Sequence, residues 1–461
     1  MRIISSFLPF LFYFYFLFLE VNSVWVTWFE EHDRCTANLQ IEKNQVIENS
    51  PFACEKAPYY IYFSNLLKNP PSEYHKHVAN EIINMYSELK LRLKPTQVTI
   101  QRMNGEFETI NVHPITFAIP EENIVTTVPP KLKPFGRVIP GVQSTYYHLY
   151  NESDYFADMK KSLFVLTYKK GGWDCLRHYE ILAAGSLPLF PDIGESPSHA
   201  LVLHPKKLYQ LFLKQPGLDL TGHRTGRMTI KFDRMEMNLP DLDRELYTAT
   251  VMAMLQYTRN IFSTKSMAKY VLDTMYEHSQ GKIQTKLPRK IFYLTHQDHD
   301  MDKGDYMTDF LLHGLITLLG EQPIVTDFPS RNCLYKTTNE FNETDYLNKR
   351  LHLYGSGFSW GLKIDVLSSR IDRNQEEIER NLKNHEYDVI ILGSGHRDGW
   401  ASKLLFWDLI CQYYSPYEVG YIDGADNPLK RRLLEKYSSC AGHLFSREGY
   451  SSSGTGSGHN S

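Results

Sequence analysis

The chain carries little that would place it in a special class. Its formal net charge is only −3 over 461 residues, so no bulk field draws it to nucleic acid. Its six cysteines, Cys35, Cys54, Cys175, Cys333, Cys411 and Cys440, include no C-x-x-C pair. That spacing is wrong for a zinc site. The apolar run near the start falls short of the about 20 residues that a membrane-spanning helix needs. There is no G-x-S-x-G nucleophile elbow; Gly355-Ser-Gly and Gly393-Ser-Gly are too short for one. The remaining composition, 42% hydrophobic and 22% charged, is that of a globular protein. The length suggests two domains, with room for a small extra module.

What is present begins with a leader. Arg2 precedes an almost wholly apolar stretch, residues 7–19, and Val21 and Ser23 follow as small residues. This is the layout of a signal peptide, residues 1–23, cleaved after Ser23. The alternative is an uncleaved signal anchor, and membrane attachment is expected only in that case. The expected compartment is the ER or Golgi lumen, or the outside of the cell. Two sequons suit it, Asn151-Glu152-Ser153 and Asn342-Glu343-Thr344. Cys35 and Cys54 flank a polar stretch and are expected to pair as a disulfide.

Patterning divides the remainder. Residues 24–112 read as an appended α+β module, with a strand at 59–64, a helix at 72–93 and two strands around Asn104-Gly105, a dipeptide suited to a tight hairpin turn. Residues 113–285 alternate strands (115–119, 162–167, 187–190) with helices (173–184, 205–214, 241–262, 265–278). The Gly-rich, basic stretch 217–234 reads as a loop. Residues 289–440 repeat the alternation, with strands at 291–295, 324–327, 388–392 and 419–422 and helices at 306–319, 373–384 and 401–413. Such alternation predicts an α/β fold with parallel sheets. The end, 441–461, closes in a Ser/Gly tail and is expected to be disordered.

The most informative stretch follows the strand at 162–167. Lys169 and Lys170 bring positive charge, and Gly171 and Gly172 let the backbone approach a ligand closely. A helix start then offers unpaired N–H groups and a positive dipole end, suited to a diphosphate. Trp173, Arg177, Glu180 and Ala184 share one helical face. Arg177 suits a phosphate and Glu180 a pair of ribose hydroxyls. At this spacing the two also suit an ordinary salt-bridged helix.

The run Arg177-His-Tyr-Glu180-Ile-Leu-Ala-Ala-Gly185-Ser-Leu-Pro188 resembles the R-x-x-E-A-L-x-x-G-x-x-P motif of nucleotide-sugar-dependent glycosyltransferases, the exostosin-like enzymes among them. Those enzymes usually have Ala where Ile181 stands and Cys where Ser186 stands. The resemblance implies the GT-B arrangement, two Rossmann-like domains facing across a cleft. The donor would lie on Lys169, Lys170, Gly171, Gly172, Arg177 and Glu180. It also implies transfer of a sugar to a glycan or glycoprotein, with the nucleotide-sugar as co-substrate and no separate cofactor; no D-x-D motif stands in an apt place, Asp298-His-Asp300 sitting on a strand-end loop of the other half, so no metal is expected. The donor motif comes first here, whereas the acceptor-side domain usually leads. The ending Gly442-His-Leu-Phe-Ser-Arg-Glu448 resembles the segment that would ordinarily lead into residues 115–120. The two halves are therefore expected in inverse order, as after a circular permutation.

In the second half, polar groups follow the strands, where ligands of parallel sheets bind. His296, Asp298 and His299 follow the first strand. His396 and Arg397 sit in the loop after 388–392, and Asp423 and Asp426 close the next strand. A general base is expected among His296, Asp298 and His396. His313, on a Leu-rich helix, suits a satisfied core position.

Overall fold

The computed structural model describes residues 58–101, 107–147, 151–225, 230–296, 305–319, 324–331, 333–336, 353–365, 374–397 and 404–451. The leader, Cys35, Cys54, Asp298, His299 and Asn342 lie outside them. Contacts divide the chain into two units, Met1–Tyr86 and Ser87–Ser461. The first holds helix α1 (Pro58–Lys68) and most of α2 (Glu73–Arg92). Helix α1 replaces the strand expected at 59–64. The Tyr-Tyr-Ile-Tyr-Phe run favours a strand by propensity, but Tyr59 and Phe63 bury at helical spacing, four residues apart.

The second unit is α/β. Its main sheet has seven strands in the order β1 (Thr96–Gln101), β2 (Phe107–Pro114), β12 (His443–Ser446), β11 (Val419–Asp423), β10 (Val389–Leu392), β8 (Lys290–Leu294) and β9 (Ile324–Phe328). All neighbours are parallel except the β1–β2 pair at the edge. Strands β10, β11 and β12 are buried along their whole length, the near-continuous apolar pattern of parallel strands covered on both faces. The hairpin assigned from sequence to an appended module is thus hydrogen-bonded into this sheet, with Leu444 opposite Val112.

A second sheet is smaller: β3 (Lys133–Phe135), β4 (Ser162–Leu166) and β5 (Leu187–Leu189), all parallel. Around it run α3 (Glu152–Lys161), α4 (Leu176–Ala183), α5 (Lys206–Phe212) and α6 (Arg244–Tyr257), while α7 (Thr264–Glu277) packs on the main sheet, with Tyr270 against Phe445 and Met275 beside Gly420. Residues 115–119, expected as a strand, form only an isolated bridge at Ile119. The stretch read as a loop at 217–234 holds a hairpin, β6 (Leu218–Arg224) with β7 (Ile230–Met237). Most of it is exposed or half-buried, so it shows no apolar period.

Four helices accompany the later strands: α8 (Tyr306–Leu319), α9 (Gln375–Lys383), α10 (Trp407–Tyr413) and α11 (Arg431–Tyr437). A disulfide joins Cys411 of α10 to Cys440, just before β12, across 29 positions. Among the described residues no helix is long and apolar enough to cross a membrane.

Candidate functional site

The main sheet fixes where a site can form. From β8 the chain passes to β9 on one side, and β10 then lies on the other side of β8. A parallel sheet opens a crevice beyond the strand ends at such a reversal. Ser394 after β10 meets His296 after β8: the His296 N–H donates to Ser394 Oγ at 2.9 Å, and His296 Nδ1 lies 3.0 Å from the same oxygen. Both residues are buried, so this pair binds two strand ends together.

His396, one turn further, is half-buried. Its Nε2 lies 2.5 Å from Asp305 Oδ2, and its Nδ1 accepts the Gly424 N–H at 3.2 Å. This places the ring proton on Nε2, facing Asp305, and leaves the lone pair on Nδ1. Asp305 also accepts the Thr308 N–H at the start of α8, so a helix terminus fixes the carboxylate that orients the ring. Arg397 follows in the same short turn. Asp423, at the end of β11, accepts from Ser446 Oγ at 3.1 Å, and its Oδ1 is buried without a partner. Burial pushes its carboxyl upward.

From the small sheet, the chain after β4 forms a loop before α4 begins at Leu176. The helix is shorter than the expected 173–184, and Trp173 belongs to the loop. Gly185, with φ +67°, ends it as expected. The loop lies against the end of the main sheet. A Cβ on Gly171 would collide with the Asp426 carboxylate, and one on Gly172 with Glu448 and Arg447. The glycines serve close approach, but what they approach is protein.

Arg447 and Glu448 were not singled out from sequence, yet they hold this junction. Arg447 is buried. It donates through Nη1 to the Asp174 carbonyl, through Nη2 to Asp426 and through Nε to the Gly424 carbonyl, and stacks over Phe117 at 4.3 Å. Glu448 Oε1 accepts the Asp174 N–H at 3.0 Å. The Asp174 carboxylate accepts the Phe117 N–H at 2.9 Å and the Tyr179 hydroxyl at 2.7 Å. The signal was an Arg-Glu pair directly behind an apolar strand.

Burial pushes the Glu448 carboxyl up to about 7, against the pull of Arg447. An unfolded glutamate titrates near about 4.3. Between these values the folded chain holds the extra proton, so stability falls as pH rises from about 4.5 to about 7, by up to about 3 kcal/mol. Glu448→Gln is expected to flatten that slope. Urea unfolding at pH 5 and pH 8 checks it; an unchanged slope in the variant would assign the pH dependence elsewhere.

The proposed donor residues divide. Lys169 Nζ folds back onto the Gly171 carbonyl at 2.8 Å and lies 5.8 Å from the Trp173 ring. Lys170 Nζ sits 5.7 Å over Tyr168. Glu180 is buried, with Oε2 accepting from the Tyr155 hydroxyl at 2.5 Å and Oε1 from Ser359 Oγ at 2.6 Å. Both its oxygens are therefore engaged by protein. Arg177 is half-buried, but its Nε and Nη1 are covered and have no hydrogen-bond partner. The structure thus does not close Arg177 and Glu180 into a simple ion pair. His313 is a core residue, 2.8 Å from Thr264 Oγ1. Asn151 is exposed at the start of α3.

No protein-family model, no curated protein and no solved structure matches this chain.

Proposed function

We propose that the chain is a glycosyltransferase that moves a sugar from a nucleotide-sugar to a glycan or glycoprotein in the secretory pathway. One observation carries the reading: the covered, unpartnered Nε and Nη1 of Arg177, one residue inside the helix that follows β4. Buried guanidinium donors without acceptors are costly, and a diphosphate would satisfy them. Cys175, at the N-cap, gives α4 no side-chain cap; the His178 N–H turns back to the Cys175 carbonyl at 3.0 Å, and the positive dipole end of the helix start favours an anion.

In this reading the small sheet is the donor half and the main sheet the acceptor half of a GT-B pair in inverse order. The run from β12 to residues 115–119 supports it: Ile115 N–H donates to the Ser446 carbonyl, so a chain leaving β12 lies beside the start of that segment. The acceptor hydroxyl displaces the Gly424 N–H from Nδ1 of His396 and gives its proton to that nitrogen, while Asp305 holds the ring through Nε2. Its oxygen bonds to the anomeric carbon as the bond to the diphosphate breaks. Arg177 and the helix N–H groups stabilise the departing charge. A ribose hydroxyl would take the place of the Ser359 hydroxyl on Glu180. Asp423, Asp426 and Arg397 would line the acceptor side. The Cys411–Cys440 bridge, the exposed Asn151 and the leader support a lumenal or secreted location.

The engaged oxygens of Glu180 favour a second reading, a lumenal binding protein of the same fold without catalysis. Release of nucleoside diphosphate from a panel of nucleotide-sugars, with oligosaccharide acceptors, separates the two. The enzyme reading expects release that His396→Gln abolishes. Binding of a nucleotide-sugar with no release for any acceptor supports the second.

A further inference from the structure

A cavity of about 470 Å³ opens at residues that loop 168–175 does not supply. Four cations line it, Arg92, Lys94, Lys206 and Lys207, against one carboxylate, Glu88. Glu88 is already committed: Arg92 takes one oxygen and Lys207 the other, at 2.9 Å. Arg92 also donates to the His204 carbonyl at 2.8 Å. Lys206 is half-buried, and its Nζ donates to the neutral Pro197 carbonyl at 2.6 Å. Among the described residues, no carboxylate lies within ion-pair distance of Lys206 or Lys94.

A half-buried ammonium with only a carbonyl partner is under-compensated. Burial, and then the charge of Arg92, bring Lys206 down to about 8, with the more distant Glu448 offsetting this only in part. Val112, Pro114 and Val202 supply apolar wall. Concave sites of this size in which polar groups converge hold small ligands.

We propose that this cavity binds an oxyanion group, a phosphate, sulfate or carboxylate borne by a small molecule, with Lys206 and Lys94 as its direct partners. Arg92, Glu88 and Lys207 form a braced wall whose own charges are largely spoken for. The ligand therefore brings a counter-charge at hydrogen-bond distance, which Glu448 supplies only from further away. The site shares no residue with the proposed donor loop, so it stands or falls separately from the transferase reading.

The test titrates the full chain with inorganic sulfate, inorganic phosphate and acetate, ionic strength held constant with chloride, by calorimetry and by thermal shift. At least one of the three is expected to bind with a dissociation constant of about 10 mM or tighter. Lys206→Gln should weaken it about tenfold or more, the loss of one charge-assisted hydrogen bond. Lys94→Gln, at an exposed position, provides a second variant that keeps the fold, and is expected to weaken it in the same direction. Lys383→Gln, an exposed position outside the cavity, should leave it unchanged. The anion that binds most tightly assigns the acid group. Absence of binding by all three anions overturns the proposal, as does binding that Arg177→Met removes and Lys206→Gln and Lys94→Gln leave intact.

Discussion

Arg447→Met is expected to lower the unfolding free energy by about 3–5 kcal/mol, the cost of removing one partner from a buried ionic group. Arg447 is 2% exposed, and its three guanidinium nitrogens reach Asp174, Gly424 and Asp426. Methionine keeps much of the packing over Phe117 but leaves Glu448 and Asp174 buried without their cation. Burial already pushes both carboxyls upward, so their charged forms have no reserve of solvation. Two consequences follow. The loss should be smaller at pH 5, where Glu448 is protonated, than at pH 8. Adding Glu448→Gln to Arg447→Met should recover part of it, because the uncompensated charge is gone. Urea unfolding of the three variants at both pH values measures this. A loss below about 1 kcal/mol, the range of an exposed ion pair, would mean that Arg447 is not the brace between loop 168–175 and the main sheet.

The second large effect is on binding. Arg177→Met should weaken a nucleoside diphosphate by roughly tenfold to a hundredfold, the equivalent of about 1.5–3 kcal/mol for a lost charged hydrogen bond. The parent nucleoside should lose little, because the proposed partner of Arg177 is the phosphate. The stability of the variant gives the contrast with Arg447. Two covered donors of Arg177 have no protein acceptor, so its removal should cost less stability than that of Arg447, the remaining loss being the charge it places near Glu180. A structural role predicts the reverse: lost stability, with no change in the preference for diphosphate over nucleoside. Calorimetry and urea unfolding on the same preparation distinguish them.

How much of this was legible depends on what each segment buries. The strands at 291–294, 389–392 and 419–423 are covered on both faces and read directly as apolar runs. Helix α8 and the stop at Gly185 follow from periodicity and from positive φ. The β6–β7 hairpin was missed because its faces are mostly exposed and carry no alternation. Helix α1 was misread because aromatic and β-branched residues bury equally well at period 2 or at four-residue spacing over so short a run. Of the site, the sequence placed Arg177, Glu180, His396 and Asp423 at strand ends and helix starts. It did not show that Ser359 and Tyr155 would occupy Glu180, since Ser359 lies 179 positions away. Nor did it single out the partners that position the site, Asp305 for His396 and Arg447–Glu448 for loop 168–175. Cys411 and Cys440 are likewise joined by the fold and not by any local spacing.

The central claim, that the loop after β4 and the start of α4 hold the diphosphate of a nucleotide-sugar, is tested most directly by calorimetric titration of the wild-type chain. The titrants are nucleoside diphosphates, their nucleosides and the corresponding nucleotide-sugars. At least one diphosphate and its sugar conjugate are expected to bind with a dissociation constant below about 1 mM, and more tightly than the nucleoside by roughly tenfold or more. No heat from any nucleotide or nucleotide-sugar at about millimolar concentration, in a chain that unfolds cooperatively, would contradict it.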